Sequence, residues 1–203
     1  DGPTHHGVYD ISLLRGLPNL IITAPKDGNE LKNLIATGLT LEKESMSIRY
    51  PKDTSYSYDE NLEEEILKIG SWEKLHSGEK TAILVTGSMV GIVNSNYSEI
   101  CNKLGFNPEL INARFIKPMD LEMLNEIENK FDLIITMEEG ALNGGFGSGV
   151  VEYYSDQNYD TKIVRMGIPD EFVEHATRNE LLNDLGLSVD GLIQIIKENL
   201  NNE

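Results

Sequence analysis

Thr81-Ala82-Ile83-Leu84-Val85 is the run whose reading decides the fold. Its apolar positions do not alternate with polar ones, and a strand of that kind is covered on both faces, as in a parallel sheet lying between helices. The residues after it fit such a sheet. A helix is expected with Val93, Tyr97, Ile100, Cys101 and Leu104 at helical spacing and Gly105 as its stop. A strand near residues 110 to 115, a helix begun by Asp120 and carrying Leu121, Leu124 and Ile127, and the strand Leu133-Ile134-Ile135-Thr136 come next. A glycine-rich turn leads to a helix over about 149 to 154, and a strand covers about 162 to 166. Thr177 with Glu180 opens a short helix that Gly186 closes, and Ser188 opens the last, with Val189, Leu192, Ile195 and Ile196 inward.

Upstream of this block lies a second α/β stretch. Leu20-Ile21-Ile22-Thr23 reads as a short buried strand ending at Pro25, and Asp27 with Glu30 three residues on marks the start of a helix. Leu31, Leu34 and Ile35 are expected as its apolar stripe. Met46-Ser47-Ile48-Arg49-Tyr50 reads as the next strand, stopped by Pro51. Residues 53 to 65 are polar, rich in Tyr and Glu, and read as a linker or surface loop. Alternating strands and helices throughout imply a doubly wound, mostly parallel sheet.

The formal net charge is -17 over 203 residues, and both parts of the chain share it: 8 basic and 14 acidic residues up to position 79, 9 and 20 after it. That balance disfavours nucleic-acid and anionic-membrane partners, which need clustered Lys and Arg. The single cysteine, Cys101, excludes an internal disulfide framework, fits a reducing, cytoplasmic setting, and reads as a buried core thiol. No apolar run reaches the roughly 18 residues of a membrane span.

Chemistry-bearing residues concentrate in a few places. Asp1-Gly2-Pro3-Thr4-His5-His6-Gly7 is a polar turn with two imidazoles and a carboxylate. It supports metal ligation, acid/base catalysis or plain hydrogen bonding; adjacent histidines point apart, so one imidazole acting as a proton or hydrogen-bond donor is preferred to chelation. Such a loop is normally flanked by scaffold on both sides, so the chain is expected to be the back part of something larger. Arg49-Tyr50-Pro51-Lys52 follows a strand, where open α/β sheets place ligand groups. Two cations around a rigid corner could hold a phosphate or carboxylate, with Arg49 steering the anion, or Arg49 could simply pair with a nearby carboxylate. Residues 140 to 149 superficially resemble a phosphate cradle but miss the G-x-G-x-x-G spacing and follow Glu138-Glu139, so tight turning with close backbone packing is expected. Arg114 and Lys117 could steer an anion, although ordinary structural pairing is the preferred reading. His175 is expected to be packed and hydrogen-bonded, and His76 to lie at the surface.

In this order, the segments 1–10, 18–20, 24–27, 48–52, 112–118, 138–140, 144–148 and 167–170 resemble the C-terminal region of the 1-deoxy-D-xylulose-5-phosphate synthase family, thiamine-diphosphate enzymes of the transketolase superfamily. Single motifs recur in transketolases and in the beta subunits of 2-oxo acid dehydrogenases; the ordered set is specific, and residues 53 to 79 match least. The resemblance implies the truncated end of a pyrimidine-binding α/β domain (1–58), a linker (59–79) and a transketolase C-terminal-type α/β domain (80–203). It implies a parent enzyme, a cytoplasmic homodimer, that condenses pyruvate, with loss of CO2, with glyceraldehyde 3-phosphate, feeding isoprenoid, thiamine and pyridoxal biosynthesis. By the same resemblance His5 is catalytic, serving the substrate by hydrogen bonding or proton transfer. Asp1 lines the same pocket, and Lys52 contacts the aldehyde's phosphate, where the family usually has Arg. Thiamine diphosphate and Mg2+ are implied for the parent enzyme, with their anchors in the missing N-terminal region, so this fragment alone is expected to bind neither cofactor nor metal and to be inactive. The C-terminal subunit of a split transketolase or 2-oxo acid dehydrogenase beta-like protein, and a non-catalytic α/β dimerisation module, stand as alternatives.

Overall fold

The computed structural model describes residues 2–200. In a first sheet β1 (Leu20–Thr23) pairs in parallel with β2 (Ser45–Ile48). A second sheet is built from β3 (Glu73–His76), β4 (Thr81–Val85), β5 (Glu109–Asn112), β7 (Leu133–Ala141) and β8 (Lys162–Ile168), in the spatial order β3-β5-β4-β7-β8. Every pairing in it is parallel except that of β3 with β5. The strand between these in sequence, β6 (Phe115–Lys117), leaves the second sheet and pairs antiparallel with β1 in the first. The mixed α/β architecture with a mostly parallel sheet is the one the alternating pattern predicts.

The central strand β4 explains the layering. Ala82, Ile83, Leu84 and Val85 are all fully buried. Because side chains alternate, Ile83 and Val85 face a core built with α3 (Met89–Ser95), α4 (Tyr97–Leu104), α7 (Arg178–Asp184) and α8 (Val189–Leu200). Ala82 and Leu84 face the other core. That one contains Leu124 and Ile127 of α5 (Leu121–Glu128), Phe146, Val150 and Tyr154 of α6 (Phe146–Gln157), and a contribution from the start of the chain. The contribution is Ile11 of α1 (Asp10–Leu14), Ile21, Ile22, Ala24 and Leu34 of α2 (Gly28–Gly38).

Several elements depart from the sequence pattern, each for a local reason. The apolar run expected as one strand near 110 to 115 is divided at Ala113-Arg114: Ala113 N–H still bonds Val85 O at 2.8 Å, while Arg114 O already accepts from Ala24 N–H at 2.9 Å. The helix expected through Leu104 breaks at Asn96, whose Nδ2 turns back to Ile92 O at 2.8 Å and competes with the backbone pattern. On α2 the inward face is Glu30, Leu34 and Thr37, while Ile35, expected inward, is 49% exposed. That face meets polar partners: Thr37 Oγ1 accepts from Leu67 N–H at 2.9 Å, and Glu30 Oε1 from Asn112 Nδ2 at 2.8 Å. Part of the expected linker, Glu73–His76, is built into the second sheet as its antiparallel edge. Cys101 is half-buried on α4 instead of in the core, where Ile100 takes the inward place. No helix among the described residues is long and apolar enough to cross a membrane.

Candidate functional site

Parallel strands present their carboxyl ends, and the loops that follow, to a common crevice. Here that crevice is a cavity of about 640 Å³. It is bordered by the ends of β2 (Ile48, Arg49), β7 (Glu139) and β8 (Ile168), by Gly87 and Ser88 after β4, and by the loop carrying His5 and His6. Lys52 and Arg178 complete the polar part of its wall. A larger cavity, about 1000 Å³, lies by Lys80, Asp132 and Lys162 at the opposite, amino ends of the strands and holds none of the chemistry-bearing residues singled out from the sequence.

The site residues expected from the sequence are thus brought together in part. His5 is exposed in the cavity mouth, its Nδ1 2.8 Å from Thr4 Oγ1, which leaves Nε2 without a partner among the described residues. His6 is turned elsewhere, with Nε2 donating to Val173 O at 3.0 Å, as expected of neighbours that point apart. Lys52 is exposed and makes no hydrogen bond or ion pair among the described residues. Asp1 lies outside the described residues. Arg49 reaches the cavity but is engaged: Nε donates to Asp10 Oδ2 at 2.6 Å and Nη2 to Glu139 O at 3.1 Å. Its carboxylate partner makes it an anchor for the corner more than a free cation for a ligand.

Three residues that sequence reading missed join them. Arg178, the first residue of α7, donates Nε to Glu139 Oε1 at 2.8 Å, Nη2 to Glu139 Oε2 at 2.5 Å and to Ser88 Oγ at 2.9 Å. Hydrogen bonding to Glu139 raises the guanidinium pKa above its ordinary value, against the opposing effect of burial. A cation in the first turn of a helix opposes the macrodipole, and that was the one signal in the sequence that a carboxylate must hold it.

The other motifs resolve as structure. Glu138 carries its carboxylate to the start of α6, where Oε2 accepts from Phe146 N–H and Oε1 from Gly147 N–H, both at 2.8 Å. Burial lifts its pKa, and the two backbone donors pull it back. The glycine-rich turn therefore holds an internal carboxylate where a phosphate would sit. The glycines are needed because a Cβ at Gly145 would lie 2.2 Å from Ala141 O, and one at Gly147 2.4 Å from Thr136 Oγ1. Arg114 donates to Ser71 O at 2.9 Å, and Lys117 Nζ to Arg15 O at 2.9 Å. His175 is exposed, its ring lying against Gly2, where a Cβ would come within 2.2 Å; it is packed there but, among the described residues, lacks the hydrogen bond expected of it. His76 is stacked on Tyr97 with ring centroids 3.8 Å apart. Among the described residues no three His, Cys, Asp or Glu side chains converge as a metal site. With the helix start filled by Glu138, the described residues do not fit a diphosphate–metal anchor.

The family model of the transketolase C-terminal domain matches residues 70–192, and that of the transketolase pyrimidine binding domain matches residues 1–56. The 1-deoxy-D-xylulose-5-phosphate synthase of Aquifex aeolicus (strain VF5) is 38% identical over 200 residues, covering 98% of this chain and 31% of the relative. That of Bacillus cereus (strain AH820) is 42% identical over 197 residues, 97% of this chain and 31% of the relative. The chain thus spans about a third of the length of these curated relatives. Among solved structures, one described as a split gene transketolase, inactive beta4 tetramer, superposes with a TM-score of 0.85 at 22% identity, covering 98% of this chain and 64% of that one. The transketolase from Campylobacter jejuni subsp. jejuni NCTC 11168 gives a TM-score of 0.68 at 19% identity over 98% of this chain and 29% of that one. At these identities the likeness speaks to the fold. On the two domain matches, this chain belongs to the transketolase family and is similar along nearly its whole length to the 1-deoxy-D-xylulose-5-phosphate synthases.

Proposed function

We propose that the chain supplies the C-terminal part of a thiamine-diphosphate-dependent transferase that joins pyruvate, with loss of CO2, to glyceraldehyde 3-phosphate, a step toward isoprenoid and thiamine precursors. The observation that carries this reading is the meeting of an available imidazole, His5, and an ammonium unpaired among the described residues, Lys52, around one cavity at the carboxyl ends of the strands. In this reading Lys52 binds the aldehyde's phosphate as a point charge. His5, its Nδ1 oriented by Thr4, offers Nε2 to a substrate oxygen for hydrogen bonding or proton transfer. Asp1, outside the described residues, is given a substrate-binding role in this reading only by its match to the family motif. Thiamine diphosphate, with its divalent metal, supplies carbanion-stabilising chemistry when bound. Its anchors are assigned to the region the relatives carry beyond this match, and no step of this chain is routed through it.

A chimera tests the reading: the matching C-terminal third of the Bacillus cereus relative is exchanged for this chain, and formation of deoxyxylulose phosphate is measured. His5→Ala is expected to lower kcat about 100-fold, the lower range for losing a proton-transfer group. Lys52→Ala is expected to act mainly on KM for the phosphorylated aldehyde. A chimera that melts cooperatively yet forms no product, or one indifferent to both substitutions, overturns the proposal. A second reading, the C-terminal subunit of a split transketolase-type enzyme, draws on the fold likeness to the split gene transketolase. It predicts a clear thermal shift of this chain alone with thiamine diphosphate and Mg2+, which the first reading does not.

A further inference from the structure

Tyr50-Pro51-Lys52 is bracketed by two side chains, Arg49 and Asp53, that are tied to the same residue of β7, the first directly and the second through Arg178. On one side Arg49 Nη2 donates to the backbone oxygen of Glu139 at 3.1 Å. On the other, Asp53 Oδ2 accepts from Arg178 Nη1 at 3.3 Å, and Arg178 is itself seated on both oxygens of the Glu139 carboxylate. Lys52 stands between the two ties and has none of its own among the described residues. We propose that Glu139 and Arg178 form a clamp that fixes the position of Lys52 over the cavity, which makes Arg178, Glu139 and Asp53 positioning residues of the site. The inference rests on the reading of Lys52 as the phosphate-binding cation.

The physical argument concerns entropy. A lysine has a flexible four-carbon stem, and its ammonium is only as well placed as the backbone beneath it. A corner that swings freely spreads the charge over many positions, and each must be given up when an anion is bound. An isolated half-exposed pair such as Arg178 with Asp53 would do little to prevent that. Here, however, the guanidinium is already held by Glu139 and by Ser88 Oγ at 2.9 Å, so presenting Nη1 to Asp53 costs little further ordering. The clamp also crosses the molecule. Arg178 belongs to α7 and Glu139 to β7 of the second sheet, whereas Asp53 follows the last strand of the chain's first segment.

The sign of one substitution separates positioning from plain charge. Asp53 is an anion beside the proposed anion site, so on electrostatics alone Asp53→Asn strengthens phosphate binding. On the clamp it weakens it. Backbone 15N relaxation on the 203-residue chain without ligand gives the direct measurement. The Lys52 amide is expected to fall from a rigid order parameter of about 0.85 to below about 0.6 in both Asp53→Asn and Arg178→Ala, with the amides of β4 and α8 unchanged. Arg178→Lys keeps the charge but not the two-oxygen seat and is expected to restore order only partly. An unchanged Lys52 amide in Asp53→Asn and Arg178→Ala overturns the proposal, as does full rescue by Arg178→Lys. Titration with inorganic phosphate, followed at the Lys52 and Asp53 amides, then tests the consequence: several-fold weaker binding in Asp53→Asn is expected, and stronger binding contradicts the clamp. If phosphate moves these amides as much in Lys52→Ala as in the unaltered chain, the phosphate reading of Lys52 fails, while the relaxation result still decides the clamp.

Discussion

The two faces of β4 are equally apolar but are covered in different ways. Ile83 and Val85 face a layer supplied mainly by α3, α4, α7 and α8, all from the same chain segment as the sheet itself, with Val8 of the first segment packed against it. Ala82 and Leu84 face a layer that is local only in part, since Ile11, Ile21, Ile22, Ala24 and Leu34 come from the first segment. That distant cover is fastened by polar ties: Arg15 to Glu152, Lys117 to the backbone of Arg15, Thr37 to Leu67, Glu30 to Asn112. Apolar contact supplies attraction without direction, whereas hydrogen bonds and ion pairs fix where the covering layer lies. The cavity sits where the first segment meets the carboxyl ends of the second sheet, so the precision of the site depends on the fastened face.

The largest expected effect cuts the shared core. Leu84→Ala should cost about 3 kcal/mol, and Ile83→Ala a similar amount, because both side chains are fully buried. The two variants are expected to differ in which amides open. Native-state hydrogen exchange should show Leu84→Ala lowering the protection of β1 relative to α8, and Ile83→Ala doing the reverse. If both variants open the same amides equally, the two faces form one cooperative unit and do not differ in how they are held.

A smaller effect isolates one tie. Thr37 is buried, donates Oγ1 to Asn33 O at 2.7 Å and accepts from Leu67 N–H at 2.9 Å. Thr37→Val keeps the shape and leaves the Leu67 N–H, a buried donor, unpaired, at a cost of about 1–2 kcal/mol. Urea denaturation measures it. A loss as small as that of an exposed substitution would mean that the segment after residue 65 lies on α2 by apolar contact alone.

How far the sequence was legible follows the same division. The local face was nearly all readable, since the unbroken apolar run of β4, the Gly105 and Gly186 helix stops and the Thr177–Glu180 capping box are signals carried by neighbouring residues. The fastened face was not, because its determinants are far apart in the chain. Nothing near Ala113-Arg114 says that the strand will change sheets, and Ile35 looks as apolar as Leu34 although only Leu34 meets a core. At the site His5 and Lys52 were legible as exposed chemistry on loops. Glu139 and Arg178, 39 residues apart, become meaningful only when the fold brings them within 2.5–2.8 Å.

The smallest expected effect concerns the pair that ties α1 to α6. Arg15 holds Glu152 with both forks, Nη1 to Oε2 at 2.8 Å and Nη2 to Oε1 at 2.6 Å, and Nε donates to Gly144 O at 3.0 Å. The geometry is favourable, but Glu152 is 60% exposed and salt screens it, so Glu152→Gln should cost less than about 1 kcal/mol. The hydrogen bond from Arg15 lowers the Glu152 pKa in the folded chain. Its stabilisation is therefore present above the unfolded carboxylate value of about 4.3 and is lost as pH falls through the lower folded value. The difference in urea midpoint between the unaltered chain and Glu152→Gln should shrink on acidification and also in 1 M salt. A difference that survives both would mean that Glu152 acts through the shape of its contacts and not through its charge, whereas no difference even at neutral pH and low salt would mean that the tie between the first segment and α6 rests on the bond from Arg15 to the Gly144 carbonyl.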